Sequence, residues 1–150
     1  MRYLTLFSLA LTITLALLPA CGRSPTEVRQ YDPPARTPDA TYVTRAIIDA
    51  LPIPGDPKTE LRAHHEAVDD FKDRTGKIVG MGAMIMDFPP AKGVSLAGLK
   101  VGDKVTMTWS VWWDSTPAWL AVKLEKLPPD TKIEFRKAKP PVSTPPADAK

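Results

Sequence analysis

Cysteine is almost absent from this chain: Cys21 is the only one in 150 residues. An intramolecular disulfide is therefore excluded, and so is a metal site built from several thiolates. Histidine is nearly as scarce, with His64 and His65 the only two, so a zinc site of several imidazoles is excluded as well. No Ser/His/Asp or Cys/His set is present, nor a glycine-rich phosphate loop, nor a carboxylate pair with reason to be perturbed, and an enzyme is not expected. Net charge is also small. The formal +3 falls to about +2 if a leader containing Arg2 is removed, and the basic residues are scattered rather than interleaved with aromatics, which speaks against nucleic acid as a partner.

Long apolar runs are missing too, with one exception. Leu4 to Leu18 is apolar but short for a membrane span, follows the basic start Met1-Arg2-Tyr3, and leads into Leu18-Pro19-Ala20-Cys21. A branched apolar residue three before a cysteine and a small residue just before it make a lipobox, after which the Cys21 thiol carries lipid. Pro19 is less usual in such a box, and an ordinary signal peptide or helical anchor is the alternative. The reading is a signal peptide over residues 1–20 and a lipidated linker over 21–41. Several acyl chains on one residue anchor a protein stably, whereas one binds only marginally. The protein is thus expected to face the periplasm as a membrane-anchored lipoprotein. Gly22, in place of the Asp associated with inner-membrane retention, makes the outer membrane the default placement.

Proline is plentiful, at 17 residues, and much of it lies in GRSPTEVRQYDPPARTPDAT (22–41) and AKPPVSTPPADAK (138–150). Neither segment has an apolar period, and both read as disordered tails, the first a partly stiffened spacer. One folded domain remains, over residues 42–127, with a Pro-rich C-terminal tail over 128–150. Within it the apolar period is near two and turn residues separate short segments, so the expected fold is all-β. Strands are placed at 42–51, 60–66, 84–88, 104–114 and 119–127, with SLAGL (95–99) as a single helical turn. Five short strands of this kind suggest a small closed OB-like barrel. In KVTMTWSVWWDS, Val105, Met107, Trp109, Val111 and Trp113 share one face, and Trp112 on the other must be covered by a loop or exposed.

Methionine is concentrated in GMGAMIMDF, residues 80–88, where Met81, Met84 and Met86 lie within six positions. Alternation puts Met84, Met86 and Phe88 on one strand face, and only one of His64 and His65 can project with them. If His65 meets Met84 and Met86 across neighbouring strands, one imidazole and two thioethers form an uncharged set that selects Cu(I) or Ag(I). Methionines that merely fill a core are the competing account, and His64 reads as a solvated neighbour. Asp69, Asp70 and Asp73 read as a solvated acidic loop rather than a site for a hard cation.

The run HHEAVDDFKDRTGKIVGMGAMIMDF, followed by LAGLKVGDKVTMTW and AWLAVKLEKL, resembles the periplasmic copper- and silver-binding proteins of the CusF type over about residues 42 to 127. The resemblance implies a five-stranded OB barrel that binds Cu(I) or Ag(I) through one His and two Met, with a Trp over the ion. By position, His65 is the imidazole ligand and Met84 and Met86 are the thioethers. Three residues before the first ligand methionine, where the family has its Trp, this sequence has Met81, so the aromatic lid does not carry over and Met81 becomes a candidate third sulfur. Trp112, Trp113 and Trp119 are weaker candidates for a cover. The loop between His65 and Met84 is longer than in the family, with DRTG (73–76) as its turn.

The expected function is a lipid-anchored copper or silver metallochaperone or buffer. Its partners would be the ion, the membrane and a copper efflux or oxidase-assembly protein. The alternative is an envelope interaction module that binds no metal. Because His65 must be neutral to ligate, metal affinity is expected to fall below roughly pH 6.5. The anchor has its own test. Labelled palmitate is expected to enter the wild-type protein and to be lost in Cys21→Ser; a soluble, unlabelled processed form would make residues 1–20 an ordinary signal peptide.

Overall fold

A computed structural model describes residues 28–140; the expected signal peptide, Cys21 and the last ten residues lie outside them. Five strands follow one another: β1 (Ala40–Ala50), β2 (Arg62–His65), β3 (Met84–Asp87), β4 (Lys104–Val111) and β5 (Trp119–Lys126). They form one antiparallel sheet in the order β3-β2-β1-β4-β5. The fold is all-β, and each strand lies where the alternating pattern places it, with ends that differ by a few residues.

Alternation explains the core. Tyr42, Thr44, Ala46 and Ile48 of β1 point inward, while Val43 and Arg45 face out. On β4 Val105, Met107, Trp109 and Val111 are buried, on the face expected from the sequence, and Ser110 is buried on the other face. Trp109 is fully buried at the centre, its ring 4.8 Å from Tyr42, 5.5 Å from Phe88 and 6.0 Å from Phe71. The Tyr42 contact is tilted, the Phe88 contact edge-on and the Phe71 contact stacked, arrangements that suit the ring quadrupoles at these distances. The β4–β5 pairing has a bulge at Val122, between Thr108–Lys123 and Trp109–Ala121. Beyond it Ala121 faces the main core and Leu120, paired with Ser110, is buried on the opposite face. Leu120 joins Ala91, Val94 and Trp112 in a second cluster. Trp112 is therefore covered, and its indole N–H donates to the Arg36 carbonyl at 3.0 Å.

The sheet edges β3 and β5 meet through one isolated parallel bridge. Ala121 N–H donates to Pro89 O (3.0 Å) and Ala91 N–H to Ala121 O (2.8 Å). Of the barrel closure expected, this bridge is present among the described residues and a continuous ladder is not. Residues 95–99 form a turn instead of a helical one: Leu99 N–H reaches Leu96 O, and Gly98 at φ +76° takes the left-handed conformation that stops a helix.

Both flanks are packed where composition suggests linkers. Tyr31 pairs with the chain after β3 through Tyr31 N–H to Pro90 O (3.0 Å) and Lys92 N–H to Tyr31 O (2.8 Å). Past β5, the Lys104 ammonium donates to the carbonyls of Pro129 and Thr131, and the segment to Lys139 continues along the sheet. The folded unit thus extends beyond residues 42–127 on both sides, because single anchors such as Tyr31 and Arg136 offset the ordering cost of polar chain.

Burial separates the methionines. Met107 is fully buried, whereas Met84 is 48% exposed. Urea unfolding should show Met107→Ala costing about 2–5 kcal/mol, as for a core cavity, and Met84→Ala costing no more than about 0.5 kcal/mol.

Candidate metal centre

The β2–β3 register builds the site. His65 is the cross-strand partner of Met84, and Ala63 of Met86. Directly paired residues project from the same face, with Cβ atoms roughly 5 Å apart. His65 and Met84 are therefore immediate neighbours. Met86 stands opposite the fully buried Ala63, the next same-face pair along the ladder from His65 and Met84. The outward backbone bonds agree with this placement. Ala83 N–H donates to Arg136 O (2.8 Å) and Asp87 O accepts from the Trp119 indole (2.9 Å), so the alternate residues Met84 and Met86 turn their backbones toward β2.

His65 is held in one protonation form. Its Nδ1 lies 2.6 Å from the Glu66 carbonyl oxygen, which can only accept, so Nδ1 carries the hydrogen and Nε2 keeps a lone pair. Nε2 is buried and has no hydrogen-bond partner among the described residues. Leaving such an acceptor unsatisfied costs about 1–3 kcal/mol. Phe88 presents its edge to the imidazole at 5.7 Å and Trp109 lies 6.3 Å away, so the ring sits against apolar walls. Burial pushes the His65 pKa down, against the opposing pull of the Glu66 carbonyl, with nearby His64 adding a smaller push in the same direction. The Glu66 carboxylate is turned away onto Arg45 at 2.7 and 2.8 Å. A metal-ligating imidazole commonly donates its second N–H to a carbonyl in this way.

The thioethers sit between core and solvent. Met84 is half exposed, while Met86 and Met81 are partly buried against the main cluster. Met81 pairs with Val68 through two backbone bonds of 2.8 Å, so it projects on the side of that buried valine. Flanking glycines suggest a side chain with little core to enter, yet Met81 has core contact, because the Val68 bridge folds the loop inward.

The other candidates fall away from this cluster. His64 is the partner of Ile85 on the opposite face and stacks on Phe135, centroids 3.5 Å apart and ring planes nearly parallel. Asp69 is gripped by Arg136, whose fork, with the Lys139 amide, holds its carboxyl well below the usual carboxylate range. Asp73 caps its own turn through Thr75 and Lys77. Among the described residues no three His, Cys, Asp or Glu side chains gather as a metal site. Trp112 belongs to the second cluster, Trp113 meets Phe71 edge-on, and Trp119 is tied to Asp87.

Two contributors had no local signal. The Glu66 carbonyl as the imidazole's orienting partner and the Trp109 ring as the wall behind it both depend on tertiary placement. Compared with models of protein families, with curated proteins and with solved structures, the chain matches none, so its likeness to CusF-type proteins stands on the residues quoted above.

Proposed function

We propose that this chain is a lipid-anchored, extracytoplasmic carrier or buffer of Cu(I) or Ag(I), with His65, Met84 and Met86 as ligands. The observation that carries the reading is the buried, unprotonated Nε2 of His65, without a hydrogen-bond partner among the described residues, on a residue whose cross-strand partner is Met84 and whose diagonal neighbour is Met86. Soft, uncharged donors favour a soft monovalent ion over zinc or calcium. Core filling accounts for Met107 but not for a half-exposed Met84. Release fits the same geometry. Met84, on an edge strand, can be replaced first by a thioether of a copper efflux or oxidase-assembly protein, while the buried imidazole holds the ion until transfer. None of the three donors needs a proton to let go, and the reading calls for no catalysis.

A competition titration of the mature protein under reducing conditions should give one Cu(I) or Ag(I) per chain. The double variant Met84→Leu/Met86→Leu keeps volume and apolarity, so it should stay folded and lose binding. Met81→Leu should weaken binding less than either single Leu variant, since Met81 already has core contacts. Unchanged affinity in the folded double variant would return the methionines to packing and favour an interaction module that binds no metal.

The pH profile follows from the direction of the His65 shift. Its folded pKa lies below the ordinary 6.5, so in the folded protein protons compete with the ion only at lower pH. Affinity should therefore hold from about pH 8 through the ordinary imidazole range and fall beneath it. This is lower than the sequence alone suggests. Stability of the metal-free protein runs differently: it should decline once pH drops below roughly 6.5, where the unfolded chain gains the proton first. An affinity midpoint at the ordinary imidazole value would mean that His65 is solvated.

A further inference from the structure

After β5 the chain touches each part of the site in turn. Glu134 N–H donates to the Glu66 side chain at 2.8 Å, and Glu66 is the residue whose carbonyl orients His65. Arg136 forks onto both oxygens of Asp69 (2.8 and 2.7 Å), next to the Val68 that pairs with Met81. The carbonyl of the same arginine accepts the Ala83 N–H at 2.8 Å, one residue before Met84. Contact with the methionine segment is close throughout. A Cβ built on Gly80 would lie 2.8 Å from Ala138 Cβ, and Gly80 is left-handed at φ +67°, whereas one on Gly82 would meet only ordinary contacts of 3.6 Å or more. Phe135 on His64 anchors the run between Glu134 and Arg136.

From these contacts we infer that the segment 129–139 is a strap that preorganises the metal ligands, with Arg136 as the positioning residue joining the loop after His65 to the approach to Met84. The inference rests on the metal-binding reading and adds a part of the chain that the resemblance does not cover. Arg136 donates no electron pair and stands on the ligands only through Asp69 and Ala83. Its effect is on how often the segment that carries Met84 and Met86 occupies the geometry the ion needs, and affinity scales with that fraction.

Charge makes the test one of sign. Removing a cation near the site should, by Coulomb's law alone, tighten binding of another cation. Loss of positioning predicts the reverse. In Ag(I) competition titrations on the full mature protein, Arg136→Ala should weaken binding about 10-fold, the scale of outer-shell partners. Arg136→Lys, which keeps charge but not the two-pronged grip, should fall between the variant and wild type. Amide exchange at Ala83 should quicken in the metal-free Arg136→Ala protein, while Arg74→Ala, an exposed arginine elsewhere, should change neither reading. Equal or tighter binding in Arg136→Ala, with wild type binding normally, overturns the strap and leaves the metal site standing. Failure of wild type to bind Ag(I) overturns the site and the strap together.

Discussion

The pairing register of β2 with β3 is the constraint on which the rest depends. Because side chains alternate, a slip of one residue would carry His65 to the outer face and bring His64 in. The register is held from several sides: His64 is fixed outward on Phe135, Phe88 is fully buried at the end of β3, and Ala83 is bonded outward to Arg136. Inward placement of His65 is thus over-determined. That surplus of constraint tolerates a buried nitrogen with no partner.

The same placement sets the chemistry of the imidazole. Burial disfavours the charged form and the Glu66 carbonyl takes the Nδ1 hydrogen, so both influences leave Nε2 as the free donor pair. Apolar rings of Phe88 and Trp109 pack near it, and the thioether of its cross-strand partner Met84 is a weak hydrogen-bond acceptor. On the proposed reading, such a cluster has little to offer a proton and much to offer a polarizable cation.

Much of this was legible in the sequence because it is local. Alternation in KVTMTWSV and MIM gives strand faces directly, and the choice of one histidine follows from parity. What was not legible depends on contacts between residues far apart in the chain. Pro-rich flanks read as linkers since no apolar period marks them, yet Tyr31, Phe135 and Arg136 each find a partner about 29 to 71 positions away. Met81 between two glycines looks like a turn residue until the Val68 bridge supplies its neighbour. Gly98 ends SLAGL as a turn although its leucines and alanine favour a helix.

The two bonds that cap β3 bear on behaviour at high local density. With Ala83 tied to Arg136 and Asp87 to the Trp119 indole, Ile85 is the outward-facing backbone position left between them. One residue is too short a template for another copy's strand to find register. If the proposed anchor concentrates molecules in the plane of a membrane, their sheet edges would meet, and the capped strand would keep a sulfur-rich, half-exposed surface from seeding self-association.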